Sequence, residues 1–196
     1  LRMLVAQAKE SAEWFTGKPI RDEIIEEIHS KLSRQMENII LIGMPGCGKS
    51  TVGKLLSELT GKPFIDADSS IVELAGKPIP EIFAQDGENV FRELESQVLN
   101  QLGMGSGNII ATGGGTILRE ENVKNLKRNG KVFFLDTPLD RLCATEDRPF
   151  SDTADKLATL YAQRIDIYRA TADVVVPAMA TPSEEAAYIL TKRMER

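Results

Sequence analysis

Ile39-Ile-Leu-Ile42, followed at once by Gly43-Met-Pro-Gly-Cys-Gly-Lys49-Ser50-Thr51, leaves this chain few folds to choose from. A short β-branched apolar run reads as a buried strand. The segment after it fits G-x-x-x-x-G-K-S/T, and Thr51 to Leu59 places Val52, Leu55, Leu56 and Leu59 at helical spacing. Strand, glycine loop and helix in that order let successive backbone N–H groups curl around phosphate oxygens at the positive end of a helix dipole. Lys49 then reaches the β- and γ-phosphates, and Ser50 offers its hydroxyl to Mg²⁺. Gly43, Met44, Pro45, Gly46, Cys47, Gly48 and Thr51 complete an expected ATP phosphate site. A glycine turn with an incidental Lys-Ser would not account for the strand and helix on either side.

With 196 residues the chain suits one α/β domain plus an appendage. A formal net charge of −5 argues against nucleic acid as the main partner, which usually needs a basic face. Cys47 and Cys143 form neither a disulfide framework nor a metal-binding spacing. Cys47 lies inside the glycine loop, where its small size matters more than its sulfur. A lowered thiol pKa at the helix N-terminus is the alternative there. There is no signal peptide and no apolar run long enough to span a bilayer, so the expected compartment is the cytoplasm, with no membrane partner.

The first 36 residues read as a helical appendage and residues 37–196 as the nucleotide domain. Leu1 to Phe15 carries Leu4, Ala8, Ala12 and Phe15 on one helical face, and Gly17 and Pro19 stop it. A second amphipathic helix runs from Asp22 to about Met36. His29 lies beside its apolar stripe and is assigned no chemistry.

Beyond the loop, Pro63-Phe-Ile-Asp-Ala-Asp68 reads as a strand, which puts Asp66 and Asp68 on one face at its carboxyl end. Asp86 is expected to cap a helix running to about Leu102. Asn108 to Thr112 is another buried strand, and Gly113-Gly-Gly115 after it means a sharp turn or a close backbone approach to a ligand. Val132 to Leu135 and Asp173 to Val176 are the last strands. Glu146 to Asp152 is polar and breaks periodicity, as a mobile lid would. Strands alternating with helices predict a five-stranded parallel sheet covered on both faces.

Gly43 to Ser50, Asp66-x-Asp68, Phe91-Arg92-x-x-Glu95, Gly113-Gly-Gly115, Arg148-Pro149 and Arg164-x-x-x-Tyr168 together resemble the shikimate kinase family. The resemblance covers about residue 37 to the end and implies the P-loop kinase fold, ATP and Mg²⁺ as cofactors, and phosphorylation of the 3-hydroxyl of shikimate. It implies that Arg92 and Arg164 fork the shikimate carboxylate, a task that suits the planar donors of arginine. Glu95, on the same helix face, would hold Arg92 in place. It further implies that Gly113, Gly114 and Gly115 line the substrate site and that Asp66 holds Mg²⁺ with Ser50. Asp68 accepts from the attacking hydroxyl, as base or as positioner. Lys49 and Arg148 neutralise the transferring phosphoryl group. Helix capping is the alternative role for the Asp pair, and Phe83 and Phe91 read as core. Arg141, followed by Leu142 instead of the family's threonine, and Thr181-Pro182 are candidates for adenine.

Residues Met3 to Ala8 and Trp14 to Gly17 resemble the C-terminal tail of shikimate dehydrogenases, which implies a fragment of a fused dehydrogenase-kinase. Two other functions compete. A gluconate-type sugar-acid kinase would also use an arginine fork. A nucleotide-binding module without catalysis would be expected to lack one of Lys49, Ser50, Asp66, Asp68 and Arg148.

Overall fold

The computed structural model describes residues 1–142 and 154–195. The chain divides into two compact units, Leu1–Glu37 and Asn38–Arg196.

In the first unit, α1 (Arg2–Thr16) ends at Gly17, whose left-handed φ of 64° lets its N–H return to the Glu13 carbonyl. The helix α2 (Glu23–Met36) follows. Val5, Ala8 and Ala12 of α1 and Ile24, Ile28 and Leu32 of α2 line one apolar cavity of about 520 Å³. Lys9 ties the turn together through Glu13 and Asp22, at 3.2 and 2.8 Å. The hydrogen bond to Asp22 leads the causes that raise the Lys9 pKa, and the same pairing lowers that of Asp22. Trp14 and Phe15 stand exposed.

The second unit runs β1 (Asn38–Ile42), α3 (Lys49–Thr60), β2 (Phe64–Asp66), α4 (Ala67–Ala75), α5 (Ile79–Gln85), α6 (Gly87–Met104), β3 (Ile109–Ala111), α7 (Glu120–Lys127), β4 (Gly130–Asp136), α8 (Ala154–Thr171), β5 (Val174–Pro177) and α9 (Pro182–Met194). Short 3₁₀ turns cover Thr116–Leu118 and Leu139–Arg141. The sheet has five strands in the order β2-β3-β1-β4-β5, all parallel.

Strand period sorts the core onto two faces. Ile40, Ile42, Ile110, Val132 and Phe134 pack with Leu99 of α6, Leu126 of α7 and Tyr168 of α8. Ile39, Leu41, Ile109, Phe133 and Leu135 pack on the opposite face, with Val52 and Leu56 of α3 and Ile189 of α9. Because both faces are covered, β1 is buried along its whole length, and Ile39 to Ile42 read in the sequence as an unbroken apolar run. Its carboxyl end therefore delivers the glycine loop to the rim of a rigid sheet.

The structure corrects the expected course at the Asp pair. β2 stops at Asp66, and Asp68 lies in the first turn of α4 instead of on a strand. Asp66 is the N-cap, its carboxylate accepting from the Asp68 N–H at 3.0 Å, so the cap ends the strand two residues early. Asp86 makes no side-chain cap for α6; its carboxylate pairs with Lys77. The expected lid, with Arg148 and Pro149, lies outside the described residues, as does Cys143.

Candidate active site

The glycine loop is shaped by backbone conformations that side chains disfavour. Gly43, Gly46 and Gly48 have φ of 153, 80 and 90°. A Cβ on Gly43 would stand 2.7 Å from the Cys47 sulfur, so that position is closed on steric grounds as well. Met44 is 1 % exposed and Cys47 6 %, and their side chains belong to the two opposite cores. What these residues give the loop is backbone. The buried Lys49 opens α3, and its ammonium donates to the carbonyls of Gly43 and Met44, both at 2.9 Å. The ammonium thus lies over its own loop, at the mouth of a helix N-terminus, where an anion is favoured. Thr51, in the first turn of α3, is exposed.

Ser50 and Asp66 meet across this mouth. The Ser50 hydroxyl donates to Asp66 Oδ2 at 2.8 Å, while Asp66 Oδ1 is the cap acceptor. A hydroxyl and a single carboxylate are hard oxygen donors of the kind Mg²⁺ takes when water and phosphate oxygens fill its other positions. Among the described residues there is no cluster of three or more His, Cys, Asp or Glu side chains that would make a self-sufficient metal cage. The donor set therefore fits a magnesium ion that arrives with a nucleotide.

Beside the loop opens a cavity of about 560 Å³. Its walls bring together Pro45, Asp66, Asp68, Arg92, Glu95, Gly113, Gly114, Gly115 and Arg164, which are spread over more than a hundred positions of sequence. Ser69, Val72, Ile79, Pro80, Phe83, Phe91 and Leu160 supply further wall. The Phe83 and Phe91 rings meet with centroids 4.7 Å apart. Both aromatics read as core in the sequence because helical spacing does not distinguish packing between elements from packing around a cavity.

Arg92 is held on several sides. Its Nη1 donates to Glu95 Oε2 at 2.9 Å, and its Nε and Nη2 donate to Glu88 Oε1 at 3.3 and 3.1 Å. Glu95, with its side chain 2 % exposed, also accepts from the Thr116 hydroxyl at 2.8 Å. A buried carboxylate needs partners of this kind, and here they orient the arginine. Glu88 and Thr116 were not singled out by the sequence; Glu88 is legible only as the carboxylate one helical turn before Arg92.

Gly113, Gly114 and Gly115 all lack a left-handed φ. Close approach, not turn conformation, explains them. A Cβ would lie 2.8 Å from Asp68 Oδ1 at position 113, 3.0 Å from Pro45 Cδ at position 114 and 2.5 Å from Arg92 Nη1 at position 115. Arg164 Nη1 donates to the Gly114 carbonyl at 3.0 Å.

Arg141 Nη1 donates to the Met179 carbonyl at 3.3 Å, which brings Arg141 beside the β5–α9 connection. Thr181 caps α9 by accepting from the Glu184 N–H at 3.3 Å. Glu185 accepts from the Met179 N–H, and its burial raises its carboxyl pKa. Arg148 lies outside the described residues. Among the described residues no helix is long and apolar enough to cross a membrane.

A family model described as "Shikimate kinase" matches residues 45–195. The shikimate kinase of Clostridium beijerinckii is 41 % identical over 142 residues, covering 70 % of this chain and 83 % of its own. The solved shikimate kinase of Acinetobacter baumannii in complex with shikimate superposes with a TM-score of 0.77 at 34 % identity, covering 85 % of this chain and 99 % of its own. A gluconokinase from Sinorhizobium meliloti reaches a TM-score of 0.51 at 17 % identity, a likeness of fold alone. The chain belongs to the shikimate kinase family.

Proposed function

We propose that this chain transfers the γ-phosphoryl group of ATP to the 3-hydroxyl of shikimate, giving shikimate 3-phosphate and ADP. The observation that carries this reading is the cavity beside the glycine loop, into which an arginine pair, a carboxylate and three bare glycine backbones converge. Shikimate presents one carboxylate and three hydroxyls on a small ring. Arg92 and Arg164 provide the planar cations for the carboxylate. Asp68, in the first turn of α4 and against Gly113, takes the hydrogen bond of the attacking hydroxyl.

Phosphoryl transfer has a loose transition state, so positioning and charge carry most of the catalysis. On binding ATP, Lys49 exchanges its loop carbonyls for the β- and γ-phosphates. Ser50 and Asp66, the latter through water, would hold Mg²⁺, which would supply charge neutralisation at the phosphates. Arg148 adds a second cation at the γ-phosphate. Arg141, beside the β5–α9 connection, is the candidate to stack on adenine, and Thr181-Pro182 the weaker candidate for its other wall. The protein works in the cytoplasm, without nucleic acid or membrane partners.

The Leu1–Glu37 unit is the tail of a shikimate dehydrogenase fused ahead of the kinase; its support is the resemblance of Met3 to Ala8 and Trp14 to Gly17. The coding sequence upstream of Leu1 tests this, and an unrelated domain there would refute it.

A coupled ADP-release assay with ATP, Mg²⁺ and shikimate, run beside gluconate and a no-acceptor control, tests the reaction. Shikimate-dependent release is expected. Release with gluconate alone would keep the fold and overturn the acceptor, and silence with every acceptor would favour a binding module.

A further inference from the structure

We infer that Tyr168 is a positioning residue of the acceptor site, acting through one peptide plane of the glycine triad. The inference rests on the proposal that this cavity holds the acceptor.

Tyr168 lies one turn after Arg164 on α8, is 0 % exposed, and stacks its ring on Phe134 at 5.1 Å and 4°. That stacking satisfies the apolar body of the residue. Its hydroxyl is a separate matter: it donates to the Gly114 carbonyl at 2.6 Å. The same oxygen accepts from Arg164 Nη1 at 3.0 Å. Two donors from successive turns of one helix thus use both lone pairs of a single carbonyl.

Gly114 and Gly115 are joined by a trans peptide, as is every peptide of the described residues. In a trans unit the N–H of the second residue points opposite to the C=O of the first. Fixing the Gly114 carbonyl toward α8 therefore fixes the direction of the Gly115 N–H. Among the described residues no backbone carbonyl takes that N–H, and Gly115 lines the cavity. Without a Cβ on either glycine this plane has little to resist rotation except its hydrogen bonds. Arg164 alone would hold the carbonyl through a side chain that must also serve the acceptor. The phenol is buried and does not line the cavity, so it sets the plane before the acceptor arrives.

Tyr168→Phe keeps the ring and its stacking and removes the donor. The expected result is a three- to tenfold rise in acceptor KM, about what one lost hydrogen bond yields, with ATP KM unchanged and kcat within about twofold. Ile165→Val, a trim on the same helix packed against the same core, serves as the stability control. It should lower Tm and leave acceptor KM alone. Arg92→Lys separates the two readings. If Arg92→Lys raises shikimate KM and Tyr168→Phe does not, the inference about Tyr168 fails and the acceptor site stands. If neither moves it, the acceptor-site reading itself fails. A Tyr168→Phe protein that loses Tm with unchanged acceptor KM, or that does not fold, would make the phenol a packing group and overturn the inference.

Discussion

Gly115→Ala isolates the geometry of the arginine fork. Gly115 has φ −96° and ψ −7°, a conformation alanine adopts without strain. The substitution therefore acts through the new methyl group alone. That carbon would stand 2.5 Å from Arg92 Nη1, 2.8 Å from Nη2 and 3.0 Å from Cζ. Restoring ordinary contact at about 3.4 Å asks the guanidinium to retreat by about 1 Å. The far end of an arginine can yield that much without unfolding the chain, and loosening its bond to the buried Glu95 should lower Tm by several degrees at most. Nη1 lies 2.9 Å from Glu95 Oε2, and a shift of that size takes the pair past hydrogen-bonding distance or turns the fork away from the cavity. Losing one charge-assisted hydrogen bond from the displaced guanidinium to the acceptor's carboxylate would cost about 1.5–3 kcal/mol of binding. At about 1.4 kcal/mol per factor of ten, shikimate KM should rise roughly 10- to 100-fold. The assay is ADP release against shikimate at saturating ATP, with the ATP KM and thermal midpoint measured on the same protein. A shikimate KM within twofold of the parent would refute the placement of Arg92 in the acceptor site. An equal rise in both KM values would mean that the loop as a whole had been displaced.

Arg92→Lys should raise shikimate KM with ATP KM nearly unchanged, because a point charge cannot replace the planar fork; an unchanged shikimate KM removes Arg92 from the site. Asp68→Asn should lower kcat by about 100-fold or more with the fold intact, and near-parental turnover would leave Asp68 with only its place in the first turn of α4. Asp66→Ala removes both the cap of α4 and the acceptor of Ser50, so it should cost about 1 kcal/mol of stability and raise the Mg²⁺ concentration for half-maximal rate. A stability loss with an unchanged Mg²⁺ titration would confine Asp66 to capping.

Elements carried by unbroken or periodic patterns were legible. The run Ile39 to Ile42 is buried as read, and Gly17 ends its helix with a φ of 64°. Asp66 to Asp68 was misread because alternating residues satisfy a strand pattern and a capped helix start equally well. The apolar spacing of Ala67 and Ile71, both buried, was the signal for the helix. What sequence could not supply were contacts between elements. Glu95 meets Thr116 across 21 residues, and Tyr168 meets the Gly114 carbonyl across 54. No local periodicity encodes such pairs; they follow from the sheet order that brings β3 beside β1 and sets α6 and α8 around the triad.

Three consecutive glycines announce a close approach but do not say to what. In the folded chain each answers to a different neighbour: Asp68 at position 113, Pro45 of the glycine loop at 114, and Arg92 at 115. None has a φ that requires glycine, so backbone conformation alone would admit alanine at all three. The constraint is contact, and the contacts divide by chemistry. One faces the carboxylate expected to meet the attacking hydroxyl, one the phosphate loop, and one the cation expected to meet the acceptor's carboxylate. A turn of three residues thus fixes the spacing between Asp68, the glycine loop and Arg92, and it does so from a strand end anchored to β1. The rigidity comes from the sheet, and the close approach from the missing side chains. Enlarging any one of the three should therefore disturb one function before the others.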